Sequence, residues 1–191
     1  NGLLHVCEPL VEYDADPVAE NPQEITVIQR HLKARGYINN AVQEVQTRLY
    51  RIHYGHANQP LVSIIIPTRD QFDFLQRCVE SILEKTSYSN YEIIIVDNNS
   101  ESPEAVNWLA GVEAMQDDKI RILRYPHEFN YSAINNMAAQ HARGEYLVLL
   151  NNDTAVLHPE WLENMLNHAQ RPEVGIVGAK LLYPDGTIQH A

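Results

Sequence analysis

An α/β protein with a mostly parallel sheet and helices on both faces is what this sequence predicts, and three observations predict it. Four short apolar runs, at 61–66, 91–96, 120–125 and 146–150, have the composition of strands covered on both sides. Stretches of helical spacing separate them, and alternation of this length argues for parallel strands joined by right-handed crossovers. Two of the runs then turn abruptly polar, into Asp97-Asn98-Asn99-Ser100 and Asn151-Asn152-Asp153-Thr154. In open sheets of this class ligands collect beyond the carboxyl ends of the strands, so Asp153 falls where a metal or phosphate would be held. Taken alone, Asn151-Asn152-Asp153 serves equally well to turn the chain and cap the next helix.

In chain order, residues 1–59 read as an extension of irregular structure and short helices. Residues 1–22 are acidic and Pro-bearing, without a sustained period. From Glu24, the residues Ile25, Ile28 and Leu32 share one helical face, and Gly36 follows the basic Lys33 and Arg35 as a C-terminal cap would. For 41–54 periodicity leaves two options, another helix over 41–49 or a strand pair with 50–54. The polar run at 55–60 is the best internal boundary.

The α/β part, 60–191, is more regular. The strand at 61–66 ends at Pro67, and Phe74, Leu75, Cys78, Val79 and Ile82 mark a helical face over 72–85. The strand at 91–96 is followed by Ser102-Pro103-Glu104, a helix start with Ser as N-cap, Pro at the first position and an acid at the positive end of the dipole. The strand at 120–125 precedes a helix over 131–143 closed by Gly144, and the strand at 146–150 precedes a helix from His158-Pro159-Glu160-Trp161 to about Arg171-Pro172. Residues 174–182 supply another extended segment, and Asp185-Gly186 reads as a turn.

Composition excludes several classes. A chain of 191 residues, 45% hydrophobic, is enough for one sizeable core and a minor appendage. A net charge of −11 without clustered Lys and Arg argues against a nucleic-acid partner. Cys7 and Cys78, far apart, predict neither a disulfide framework nor a zinc site, and point to a reducing compartment. No stretch is apolar for long enough to cross a bilayer, no signal segment is visible, and a start without Met reads as a piece cut from a longer chain. The first strand-helix turn, Pro67-Thr68-Arg69-Asp70, carries neither a dinucleotide fingerprint nor a P-loop, and the eight glycines never cluster. A ligand here must be held by side chains and a metal, which suits a nucleotide-sugar diphosphate.

Three stretches in this order, Val-Ser-Ile-Ile-Ile-Pro-Thr-Arg-Asp at 62–70, Glu-Ile-Ile-Ile-Val-Asp-Asn-Asn-Ser at 92–100 and residues 144–153, resemble the nucleotide-binding half of family 2 glycosyltransferases with the GT-A fold. Trp161-Leu162, residues 174–181 and residues 183–191 resemble its bacterial rhamnosyl- and O-antigen-type branch, so the resemblance covers about 60–191. It implies that Pro67, Thr68, Arg69 and Asp70 wrap the nucleoside and that Asp97, with Asn99 beside it, contacts base or ribose. Asn130 and the Asn135-Asn136 pair fall near the nucleotide, but Asn135 stands where relatives often have Arg and suits a cap or core hydrogen bond as well. Asn151-Asn152-Asp153 occupies the place of the family's D-x-D, with Asn151 replacing the first acid and Asp153 left as the ligand of Mg²⁺ or Mn²⁺. One carboxylate suffices when substrate phosphates complete the shell.

The activity this implies is transfer of a sugar, with inversion, from a UDP- or dTDP-sugar to a glycan or lipid-linked glycan acceptor. The expected location is the cytoplasm or, peripherally, the inner face of the membrane. The family's carboxylate base lies well after the D-x-D, and nothing between Thr154 and Ala191 matches it. Glu160, Glu163 and Glu173 read as helix-start or solvent-facing acids and His190 as structural, so the base is expected beyond Ala191 and the chain alone is expected to be inactive. Ile176, Val177, Leu181 and Leu182 need cover, which makes self-association a further expectation. The alternative is a catalytically silent nucleotide-sugar-binding or scaffold module. A nucleotidyltransferase is disfavoured by the missing Gly-rich loop.

Overall fold

The computed structural model describes residues 23–190, so the irregular reading of 1–22, Cys7 and Ala191 lie outside the described residues. The chain divides into two compact units between Gly55 and His56.

The first unit contains helix α1 (Glu24–Ala34) and an antiparallel hairpin of β1 (Ala41–Gln46) and β2 (Leu49–His53). Leu32 is the buried residue of α1, and Gly36 adopts the left-handed φ of 93° that a helix terminus exploits. The stretch that periodicity left open is therefore a strand pair, and the extension has one helix rather than several among the described residues. Val42 and Ile52, both β-branched and half-buried, stand opposite each other in the hairpin, a pairing that favours strand over helix.

The second unit follows the predicted alternation: β3 (Val62–Thr68), α2 (Phe72–Lys85), β4 (Tyr91–Asp97), α3 (Pro103–Met115), β5 (Ile120–Arg124), α4 (Tyr131–His141), β6 (Tyr146–Leu149) and α5 (Trp161–Ala169). The strands form one parallel sheet in the order β5-β4-β3-β6. One face packs Val62, Ile64, Ile66, Ile93 and Ile95 against residues of α2, α3 and α5, and the other packs Ile65, Ile94 and Val96 against Ile134 and Ala138 of α4. Burial on both faces is why β3 and β4 need unbroken apolar runs. Ser102 caps α3 as predicted, its Oγ accepting from Ala105 N at 3.3 Å.

At the amino ends of the strands, Glu92 is 1% exposed and its carboxylate accepts from Ser63 Oγ, Arg143 N, Arg121 and Arg143 Nε, all within 3.1 Å. Two guanidinium groups and a hydroxyl thereby satisfy a charge that would otherwise be costly to bury.

Two expectations need correction. The run at 146–150 reads as covered on both faces, yet among the described residues β6 is an edge strand, and Leu147 and Leu149 are 46% and 51% exposed on the α4 side. An apolar run shows what a strand tolerates and does not by itself tell an edge strand from a central one. Residues 174–180 form no strand, and Leu181–Leu182 (β7) instead pairs with Ile188–His190 (β8) in a small antiparallel sheet of its own. The predicted turn sits between them, with Gly186 at a φ of 85° and Thr187 donating to Asp185 Oδ1 through both N and Oγ1.

Candidate functional site

Parallel register brings the carboxyl ends of all four strands to one edge, and the polar residues there form a row. Arg124 at the end of β5 stands opposite Asp97 at the end of β4, and Asp97 stands opposite Thr68 at the end of β3. Asn152, just beyond β6, closes the row by donating from Nδ2 to Thr68 Oγ1 at 3.0 Å.

Asp97 is buried to 6% side-chain exposure; its Oδ2 accepts from Arg124 Nη1 at 2.8 Å and its Oδ1 from Ser100 N at 3.1 Å. Each carboxylate oxygen has a further lone pair, so the group keeps capacity to accept from a ligand. Arg124 reaches Glu113 of α3 with its other nitrogen at 2.8 Å, which fixes the guanidinium from both sides.

The loop after β3 is tied to the loop after β4. Asp70 Oδ1 accepts from Glu101 N and Ser102 N at 2.7 Å each, and Asp70 N donates to Ser100 Oγ at 2.8 Å. Those two N–H groups, Ser102's first and Glu101's next, hold the Asp70 carboxyl below the usual aspartate range. Asp70 and Gln71 both have left-handed φ, 54° and 50°, so the loop turns sharply before α2. Pro67 is half-buried at the strand end, while Arg69 is exposed and 3.9 Å from Glu101. Asn99 is exposed at a φ of 58°, a conformation Asn tolerates.

The remaining candidates separate into two roles. Asn130 is the N-cap of α4, its Oδ1 accepting from Ala133 N at 3.0 Å. Asn135 is buried and donates to Tyr131 O one turn back, which is the core hydrogen bond the sequence left open. Asn151 and Asp153 are exposed on the turn beyond β6. Glu160 and Glu163 open α5, and Ser87 Oγ donates to Glu163.

Sequence reasoning missed Arg124 and Asn98. Asn98 is buried and donates from Nδ2 to Tyr125 O at 3.0 Å and His127 O at 2.8 Å, pinning the loop before α4. An Arg closing an apolar run looks like a solvated strand end, and only the β4–β5 register shows that it meets Asp97.

Among the described residues no three His, Cys, Asp or Glu side chains gather into a metal cage. The turn offers the Asp153 carboxylate and the amide groups of Asn151 and Asn152, a sparse oxygen donor set. Hard divalent cations accept such a set when phosphate oxygens complete it. Among the described residues no helix is long and apolar enough to cross a membrane.

Comparison with known proteins agrees with this architecture. Residues 63–190 match Glycosyl transferase family 2. The chain is 51% identical over 142 residues to uncharacterized protein y4gI of Sinorhizobium fredii, covering 74% of this chain and 16% of that protein. It is 42% identical over 167 residues to O-antigen biosynthesis protein RfbC of Myxococcus xanthus, covering 87% of this chain and 13% of that protein. It therefore spans about a sixth or less of those relatives. A putative colanic acid biosynthesis glycosyl transferase of Escherichia coli, WcaA, is 34% identical over 110 residues, 58% of this chain and 37% of that protein. In fold the chain is similar to a mannosyltransferase from Pyrobaculum calidifontis solved with GDP-Man and Mn²⁺, with a TM-score of 0.55 at 19% identity over 79% of this chain and 44% of that one. With the parallel sheet, its flanking helices and the matched family region in agreement, the chain belongs to glycosyl transferase family 2 and has the GT-A fold.

Proposed function

We propose that this chain is the donor-binding part of a glycosyltransferase that transfers a sugar, with inversion, from a nucleotide-sugar to a surface-glycan or lipid-linked glycan acceptor. The observation that carries the reading is the row Asp97, Thr68, Asn152, with Asp153 next to it, along the carboxyl ends of three adjacent parallel strands. In such sheets that edge is where nucleotides bind. Asp97 accepts from base or ribose with its remaining lone pairs, and Pro67, Thr68, Arg69 and Asn99 line the nucleoside. Asp70 acts through its grip on the next loop. Asp153, with Asn151 beside it, would hold Mg²⁺ or Mn²⁺. When bound, the ion neutralises charge on the departing diphosphate. UDP and dTDP remain the proposed carriers, and the GDP-Man and Mn²⁺ of the structurally similar mannosyltransferase add GDP to those worth testing.

Thermal melting with UDP, dTDP and GDP, each with and without Mn²⁺, tests the reading. A ligand at about one hundred times its dissociation constant stabilises the native state by roughly 2.7 kcal/mol. One diphosphate is expected to raise the Tm, more so with Mn²⁺, and Asp153→Ala is expected to lose the metal increment alone. An unchanged metal increment in that variant removes Asp153 from the site, and no response to any of the three diphosphates overturns the nucleotide reading.

A further inference from the structure

Helix α2 grips the turn that carries Asp153, through residues at i, i+3 and i+7 on one face. Cys78 Sγ lies 3.8 Å from Asn151 O and 3.8 Å from Thr154 Oγ1. Ser81 Oγ donates to Cys78 O at 2.8 Å and accepts from Val156 N at 3.0 Å. Lys85 Nζ donates to Val156 O at 2.9 Å. Just past the helix, Thr86 Oγ1 accepts from Trp161 Nε1 and Ser87 N donates to Pro159 O. Cys78, Ser81 and Val156 are all buried, so water offers poor replacements for these partners.

On the sheet side the hold is slight. The β3–β6 pairing ends at Ile65 and Leu149, followed by the bond from Leu150 N to Ile65 O and the contact between Asn152 and Thr68. Where Asp153 stands is therefore set from the helix as much as from the strand. The Cys78 thiol is a weak donor with Asn151 O as an acceptor within its reach.

We propose that Cys78, Ser81 and Lys85 are positioning residues that set the height of the Asp153 carboxylate over the strand ends, and so tune metal affinity without touching the ligand. The proposal rests on the reading of Asp153 as the metal ligand. A purely structural role would alter folding or all ligands together, whereas positioning alters metal affinity selectively.

The test titrates Mn²⁺ calorimetrically into the 191-residue chain saturated with whichever of UDP, dTDP or GDP raises its Tm most, and separately titrates that diphosphate without metal. In Ser81→Ala and Cys78→Ala, Mn²⁺ affinity is expected to fall about three- to tenfold, the scale of one weakened buried hydrogen bond. Metal-free diphosphate affinity is expected to stay within about twofold, and Cys78→Ser, which keeps a donor, is expected to recover most of the Mn²⁺ affinity. Lys85→Met, at the exposed end of that face, leaves the buried core untouched and is expected to lower Mn²⁺ affinity in the same direction. Hydrogen exchange is expected to speed at Val156 in Ser81→Ala while β3 and β4 stay protected. Unchanged Mn²⁺ affinity in these variants, or a parallel fall in metal-free affinity, overturns the proposal. A parent chain that binds diphosphate but ignores Mn²⁺ overturns the metal reading and this proposal with it, whereas a Mn²⁺-sensitive parent with insensitive variants overturns this proposal alone.

Discussion

Asp97 and Arg124 face each other at the ends of adjacent parallel strands, and their side chains meet at 2.8 Å. The pair closes the row at one end, while the contact of Asn152 with Thr68 closes it at the other. A buried carboxylate is costly unless it is paired and hydrogen-bonded. Arg124 meets that need and, through Glu113, also anchors α3 beside the site.

Arg124→Met keeps an apolar stem but leaves Asp97 Oδ2 without its charged partner, and is expected to cost about 1–3 kcal/mol in urea unfolding. Asp97→Asn combined with Arg124→Met is expected to cost less than the sum of the single changes, since no buried charge is then stranded. Strict additivity would show that the pair is not coupled. Asp97→Ala is expected to weaken diphosphate binding with or without Mn²⁺, and calorimetry giving parent-like affinity would take Asp97 out of the nucleoside site.

Gly144 makes the join between α4 and β6 possible. A Cβ there would lie 2.6 Å from Ser63 N and 2.7 Å from Leu61 O, backbone atoms of the neighbouring strand region that cannot swing aside. Gly144 N also donates to Ser63 Oγ at 2.9 Å. Gly144→Ala is expected to destabilise the chain by about 1–3 kcal/mol, the usual cost of forcing an extra methyl into a filled space. Chemical denaturation with parent-like stability would mean that the two backbones are not held this close.

Sequence legibility followed burial. β3 and β4 are covered on both faces, so their apolar runs announce them, and the capped start of α3 is written in Ser102-Pro103-Glu104. The exposed Leu147 and Leu149 were not foreseeable, because a run of apolar residues does not reveal its position in the sheet. Asp97, Thr68 and Asn152 were legible as polar residues ending apolar runs. The bonds from Glu101 N and Ser102 N to Asp70, and the match of Arg124 to Asp97, depend on loop geometry and strand register, which local pattern does not encode.

Leu147 and Leu149 give the expected self-association a better-defined surface than Ile176, Val177, Leu181 and Leu182 do. They lie exposed on the outermost strand of the sheet, while Ile176 is 92% exposed on the irregular segment after α5. An apolar edge strand is a template for pairing with another chain. Light scattering is expected to show the apparent mass of the 191-residue chain rising with concentration. Leu147→Lys with Leu149→Lys is expected to suppress the rise, and a parent mass independent of concentration would remove self-association.

Acid is expected to destabilise the chain through Asp70 and Glu92. The Asp70 carboxyl is held low by the backbone N–H groups of Ser102 and Glu101. For Glu92 burial is the largest influence and raises the value, but the bonds from Ser63, Arg143 and Arg121 outweigh it and the net direction is also down. A group whose folded value lies below its unfolded value binds more protons when unfolded, so its contribution to stability is present above the unfolded value and lost as pH falls through the folded one. The unfolded values are about 3.9 for Asp and 4.3 for Glu, so urea midpoints are expected to hold near neutrality and fall from about pH 5 downward. Asp70→Asn keeps an oxygen that accepts the two N–H bonds but cannot be protonated in this range, so its acid limb is expected to be shallower than the parent's. Glu92→Gln is expected to lower stability near neutrality, where it leaves Arg121 and Arg143 without their carboxylate, and to flatten the acid limb as well. An acid limb as steep in Asp70→Asn as in the parent would show that the loop clamp does not hold the carboxylate in its ionised form.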